Sequence, residues 1–218
     1  NSINLEDGEE RFKKVVPLIH RYGAAVVVGT IDEDPKQGMA LTGQRKLAIA
    51  KRSHDLLTKT YGLKPQDLIF DVLVFPCATG DKNYYGSAKE TIEGIRLVKK
   101  ELPDCKTILG VSNVSFGLPP AGREILNAVF LYHCVQAGLD MAIVNTEKLA
   151  RFSALPKEQI KLAEDLLFWK GPGDPAHADG FDPIAVFAAF FRDKKVEMKQ
   201  DARRSLPVHE RVAKNVLE

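Results

Sequence analysis

The sequence contains few cysteines: only Cys77, Cys105 and Cys134 occur among 218 residues. Because they are odd in number and widely spaced, they form neither a disulfide framework nor a zinc-binding motif. We therefore predict buried thiols in a reducing compartment, a cytoplasmic location and no metal site in this chain.

Long apolar runs and an excess of one charge are also absent. No apolar segment approaches the ~20 residues needed to cross a bilayer, and no basic segment leads into an apolar one at the N-terminus. Lys and Arg number 31 against 29 acidic residues, which gives a net charge of +2. This balance gives no general reason to expect binding to nucleic acid or to a membrane. Recognition must come from local sites.

Apolar and amphipathic segments alternate along the chain, which is 44% apolar. Four apolar, β-branched runs predict strands buried on both faces, as in parallel sheets: 24–31, 68–75, 107–111 and 141–144. Four segments with apolar residues at helical spacing predict helices: 6–21, 45–61, 87–102 and 122–137. The βα alternation predicts an α/β fold with a parallel sheet.

Polar residues follow each predicted strand, where the βα loops of an α/β barrel build the active site. Four βα units make half of a (β/α)₈ TIM barrel, so we expect the other half on residues upstream of this chain or on another chain. We predict that residues 1–169 belong to the barrel. Residues 170–182 are rich in Gly and Pro and predict a linker, and residues 183–218 predict a helical extension.

Asp71 is the first candidate site residue. It lies within a predicted strand that is otherwise apolar, where an unpaired carboxylate would be costly to bury. A carboxylate can accept two parallel hydrogen bonds from an amidine-like N–H edge, such as the 2-amino and N3 positions of a pterin. An ion pair with a neighbouring Lys or Arg is the alternative.

Three further candidates are polar residues near strand ends. Asn113 follows the third predicted strand, and its amide could accept a hydrogen bond from a protonated amine, or could instead satisfy its own turn. Arg123 could contact a ligand carboxylate or hold the preceding loop. Asn1 could enter the same cavity from the end of an incomplete strand.

Six short segments occur in a fixed order: Asn1-Ser2-Ile3, Arg21-Tyr22-Gly23-Ala24-Ala25-Val26-Val27-Val28, Ile69-Phe70-Asp71, Gly110-Val111-Ser112-Asn113-Val114-Ser115-Phe116, Val129-Phe130-Leu131-Tyr132-His133 and Asp140-Met141-Ala142-Ile143-Val144-Asn145. In this order they closely resemble the folate-binding domain of cobalamin-dependent methionine synthases, over roughly residues 1–168. The chain resembles dihydropteroate synthases, which share the barrel, less closely.

The resemblance implies a pterin-binding TIM barrel that binds 5-methyltetrahydrofolate and supports transfer of its N5-methyl group to cob(I)alamin, in methionine synthesis from homocysteine. It implies folate contacts by Asn1, Asp71, Asn113 and Arg123, with Asn113 also catalytic near N5. The partner would be a cobalamin-binding domain of the same polypeptide, toward which residues 183–218 lead. Zinc would belong only to an upstream homocysteine domain.

The sequence departs from the family where Val72-Leu73 follow Asp71, since many members carry Pro-Asn there. The 34–43 loop is longer than the resemblance leads us to expect. We expect activity to need the upstream half of the barrel. A non-catalytic pterin-binding or scaffold fragment is the second hypothesis, and a dihydropteroate synthase is the third, although the loops lack a convincing Lys- and Arg-rich anion site for it.

Overall fold

A computed structural model describes residues 2–174, 181–192, 194 and 207. Its centre is a parallel sheet in the order β1-β2-β3-β4. The strands are β1 (Val26–Gly29), β2 (Leu68–Asp71), β3 (Lys106–Gly110) and β4 (Met141–Ile143). An isolated parallel bridge from Ile3 to Val28 extends the sheet beyond β1. The predicted α/β class and parallel sheet are confirmed.

Helices alternate with these strands. The α-helices of the described residues are α1 (Glu10–Tyr22), α2 (Gly43–Asp55), α3 (Ser87–Glu101), α4 (Pro120–Gln136), α5 (Lys157–Leu167) and α6 (Pro183–Phe191). Gly23 ends α1 in the left-handed conformation, at φ 59°, which glycine adopts without steric cost. Thr42 caps α2, because its hydroxyl accepts a hydrogen bond from the Arg45 amide. A π-helical turn, Leu56–Thr60, continues α2.

The two faces of the sheet differ in burial. Side chains on one face, such as Val28, Leu68 and Phe70, are fully buried under the helices. Those on the other face, such as Val27 and Ile69, are only half-buried. In the described residues, helices cover one face and no second layer covers the other, so the strands are not buried on both faces as the apolar runs predicted. An exposed inner face is what half of a barrel alone is expected to show.

The β4 strand is the most exposed part of the sheet. All three of its residues are exposed, and Ile143 keeps 66% of its surface accessible. A barrel segment without its adjoining strands leaves its last strand with one unpaired edge and one uncovered face, as β4 has here. The architecture is that of a partial TIM barrel of four consecutive βα units.

Helices α5 and α6 pack outside the sheet against α4. Phe187 and Phe191 of α6 are buried and belong to the same apolar core as the barrel helices. Gly122 of α4 leaves room for them, since a Cβ there would lie 2.8 Å from Cε1 of Phe187. The division into barrel 1–169, linker 170–182 and extension 183–218 stays a prediction, because residues 175–180 and most residues after 192 lie outside the described part. No described helix is long and apolar enough to span a bilayer.

Candidate functional site

The carboxyl ends of the four strands meet at one edge of the sheet, and the structure brings three of the predicted site residues to this edge. Asp71 is the last residue of β2, opposite Gly29 of β1 and Ile108 of β3. Asn113 lies in the 3₁₀ turn that follows β3, and Arg123 lies in the first turn of α4. The fourth predicted residue, Asn1, lies outside the described residues.

Asp71 is half-buried, with its carboxylate at the strand end. Its Oδ1 atom accepts a hydrogen bond of 2.9 Å from the Leu73 amide, and its carbonyl accepts one of 3.0 Å from the Thr30 amide. Within the described part of the chain, no Lys or Arg nitrogen lies within ion-pair distance of this carboxylate, and Lys46 is the one cation whose charge acts on it. Burial raises the pKa of the Asp71 carboxyl, and the Leu73 hydrogen bond and the charge of Lys46 oppose this shift in part.

The predicted strand 68–75 ends early, at Asp71, because the Asp71 carboxylate accepts a hydrogen bond from the Leu73 amide and forms an Asx turn there. Leu73 has φ 62°, in the left-handed region that a branched side chain rarely adopts. Its carbonyl accepts a hydrogen bond of 2.9 Å from Oγ1 of Thr91. This turn directs the Leu73 amide at the Asp71 carboxylate.

Lys46 contacts the same turn from the helix side, and sequence reasoning missed it. Its side chain is fully buried, and Nζ donates to the carbonyl oxygens of Val72 at 2.5 Å and Leu73 at 3.3 Å. Burial lowers the pKa of Lys46 to about 7, although the charges of Asp71 and Glu90 act in the opposite direction. One signal was available: Lys46 shares helical spacing with the buried residues Gly43, Ala50 and Ser53 of α2.

Asn113 presents an exposed side chain at the end of β3. Its backbone carbonyl accepts a hydrogen bond from the Phe116 amide, but its side-chain amide hydrogen-bonds to none of the described residues. The alternative of an asparagine that satisfies its own turn is therefore wrong. Gly110 lies directly beside it, since a Cβ at Gly110 would be 3.5 Å from Nδ2 of Asn113. The amide is available to a ligand.

Arg123 holds the loop that precedes α4. Its Nε donates to Oγ of Ser115 at 3.3 Å, and that hydroxyl donates to the Ser112 carbonyl at 3.1 Å. The guanidinium forms no ion pair with any described carboxylate. The loop-holding alternative is thus observed, and a contact with a ligand carboxylate stays a prediction.

The 34–43 loop forms a compact structure beside the end of β1. The buried Asp32 accepts hydrogen bonds of 2.8 and 2.6 Å from Nη2 of Arg45, and the Asp32 amide donates to the Gly38 carbonyl. Asp34 accepts from two amides within the loop. Gly38 is required, because a Cβ there would lie 2.6 Å from the Asp34 carbonyl.

The three cysteines are buried free thiols. Burial raises the pKa of Cys77 to about 12 and that of Cys105 to about 11, which makes both thiols unreactive. Across the described ranges, no three His, Cys, Asp or Glu side chains are grouped so that they could hold a metal ion.

A family model described as pterin binding enzyme matches residues 1–145, which include Asp71, Asn113 and Arg123. The chain is 39% identical, over 225 aligned residues, to a methionine synthase of Mycobacterium tuberculosis (strain ATCC 25618 / H37Rv). It is 37% identical over 225 aligned residues to a methionine synthase of Mycobacterium leprae (strain TN). Both matches cover the whole chain but only 18% of the relative's length.

Proposed function

Because this chain belongs to the pterin-binding enzyme family, we propose that it binds the pterin of 5-methyltetrahydrofolate as part of a cobalamin-dependent methionine synthase. One observation carries the proposal: at the carboxyl edge of the sheet, the Asp71 carboxylate ends β2 and the Asn113 amide, which is unpaired among the described residues, lies in the turn after the adjacent strand β3. The two methionine synthase relatives support the choice of this family member over dihydropteroate synthase.

Asp71 recognises the edge of the pterin. Its Oδ2 atom has no hydrogen-bond partner among the described residues, and Oδ1 keeps a second lone pair beyond the bond from Leu73. The carboxylate can therefore accept hydrogen bonds from both the 2-amino group and N3–H. Such a charge-assisted pair discriminates against ligands that lack either donor.

Asn113 acts at N5. Its amide oxygen accepts a hydrogen bond from protonated N5 and favours the protonated form. When the bond between N5 and the methyl group breaks, its electron pair stays on N5, so the ligand leaves as a neutral amine. Assistance of this kind contributes typically ~10²–10⁴-fold to rate. The nucleophile that accepts the methyl group would be a cob(I)alamin held by another domain.

Arg123 and Asn1 complete the folate contacts assigned to this chain. We assign neither the homocysteine site nor its zinc to it. The half-buried inner face of the sheet supports the expectation that further strands complete the pocket.

Titration calorimetry with 5-methyltetrahydrofolate tests the proposal, using the full-length polypeptide that contains this chain. Asp71→Asn should weaken binding by about 10–100-fold, because hydrogen bonds to a charged group contribute ~1.5–3 kcal/mol. Asn113→Ala should lower the rate of methyl transfer more than the affinity. Asp104→Asn is the matched control, since this exposed aspartate precedes β3 at the opposite edge of the sheet. Absence of saturable binding by the wild type would instead favour the non-catalytic scaffold.

A further inference from the structure

Lys46 is a buried cation outside the set of residues that we expect to touch the ligand. Its side chain has 0% exposure and runs between α2 and α3. The absence of a side chain at Gly94 makes room for its stem, because a Cβ there would lie only 2.6 Å from Cδ of Lys46. An ammonium group at such a site is costly unless it is hydrogen-bonded, so its partners indicate its role.

Both hydrogen-bond partners of Lys46 are main-chain carbonyls in the turn after Asp71. Nζ lies 2.5 Å from the Val72 oxygen and 3.3 Å from the Leu73 oxygen. Thr91 of α3 donates to the same Leu73 oxygen at 2.9 Å. Two helices that cover the buried face of the sheet, α2 and α3, therefore hold this turn.

The turn needs such support because Leu73 adopts an unfavourable backbone conformation. Its φ of 62° costs an L-residue with a Cβ roughly 1–2 kcal/mol. Strain of this kind persists where surrounding contacts impose it, and it is concentrated at functional sites. In this conformation the Leu73 amide donates to Oδ1 of Asp71 and fixes the rotation of the carboxylate.

We infer that Lys46 is a positioning residue: by holding the Val72–Leu73 turn, it orients the Asp71 carboxylate toward the edge of the pterin. The inference rests on the proposed function, since it assigns Lys46 to the same ligand. Lys46 does not touch the ligand in this account and acts only through the turn and Asp71. Its positive charge also partly compensates the half-buried carboxylates of Asp71 and Glu90.

A first experiment needs no ligand. In the full-length polypeptide, hydrogen exchange at the Leu73 amide is compared between the wild type and Lys46→Met, which keeps the length of the stem but removes the ammonium group. Exchange at Leu73 should be at least about tenfold faster in the variant, because the free energy needed to open the hydrogen bond to Asp71 falls by ~1.4 kcal/mol. Unchanged exchange at Leu73 would overturn the inference. If the Lys46→Met variant does not fold, Lys46→Gln is used instead, because it retains an N–H donor on a shorter stem.

A double-mutant cycle separates positioning from general destabilisation. Binding of 5-methyltetrahydrofolate is measured for Lys46→Met, Asp71→Asn and the double variant. Lys46→Met should weaken binding at least about fivefold alone and have no further effect when Asp71 is already replaced, because contacts that act through one group are not additive. Val98→Ala, a buried change in α3, is the control and should lower stability without changing affinity.

The outcomes distinguish this inference from the proposed function. If the wild type does not bind 5-methyltetrahydrofolate, the proposed function fails, and the exchange experiment still decides whether Lys46 holds the turn. If Asp71→Asn weakens binding but Lys46→Met does not, the positioning role alone is refuted. Additive effects of the two substitutions would also refute it.

Discussion

Gly94→Ala should destabilise the barrel, although the same change stabilises most helices. The added Cβ would lie 2.6 Å from Cδ and 3.4 Å from Cβ of Lys46. Carbon atoms are optimally separated by about 3.5–4.0 Å, so the first contact is short by roughly 1 Å. The lysine stem cannot swing into solvent, because it is fully buried and its ammonium is hydrogen-bonded to Val72 and Leu73.

The size of the effect follows from two opposing terms. Overpacking of a core costs typically about 1–3 kcal/mol, whereas replacing Gly by Ala within a helix gains about 0.5–1 kcal/mol. We therefore expect Gly94→Ala to lower the free energy of unfolding by roughly 0.5–2 kcal/mol. Urea denaturation measures this change, and hydrogen exchange in peptides of β2 and α3 is the signal that reports unfolding of the barrel itself.

The Lys46→Ala background provides the control for this prediction. Removing the lysine stem removes the 2.6 Å contact, so Gly94→Ala should then raise stability by about 0.5–1 kcal/mol. A stabilising effect of Gly94→Ala while Lys46 is present would show that the stem moves freely, and would refute the account of the buried lysine.

Three further predictions concern the ligand edge, the opposite edge and the C-terminal helix. Burial raises the pKa of the Asp71 carboxyl, so the carboxylate is protonated at a higher pH than an ordinary aspartate. Affinity for 5-methyltetrahydrofolate should therefore fall as the pH is lowered through this raised pKa, and calorimetry should find no such pH dependence in Asp71→Asn. Asp140→Asn weakens bonds to Thr107 at the other edge and should cost about 1–3 kcal/mol of stability in urea denaturation, with unchanged affinity. Phe187→Ala, at a buried position against Gly122, should cost about 3–5 kcal/mol, and a loss below 1 kcal/mol would contradict the shared core.

The arrangement of strands and helices was readable from the sequence because it depends on local hydrophobic periodicity. Three of the strands lie within the predicted apolar runs and β3 begins one residue before its run, at Lys106. Helices α1 to α4 match the predicted helices to within a few residues, once the π-helical turn Leu56–Thr60 is counted with α2. The end of β2 was not readable. The apolar run continues to Phe75, but contacts from Lys46 and Thr91, which are distant in the sequence, impose the turn at Leu73.

The site was predictable where a polar residue follows an apolar run, as with Asp71 and Asn113. It was not predictable where chemistry depends on the packing of one helix against another. The burial of Lys46 depends on the absence of a side chain at Gly94 in the next helix, and the only local signal of it is the helical spacing that Lys46 shares with other buried residues of α2. The exposure of the inner face is what half of a barrel alone is expected to show, although a continuous apolar run by itself is compatible with a closed or an open sheet.

The most direct test of the central claim is a crystal structure of the full-length polypeptide with 5-methyltetrahydrofolate bound. The account predicts that the 2-amino and N3 nitrogens lie within about 3.2 Å of the Asp71 carboxylate oxygens, with the Asn113 amide beside N5. A pterin bound elsewhere, or bound at this edge with its amino group directed away from Asp71, would contradict it.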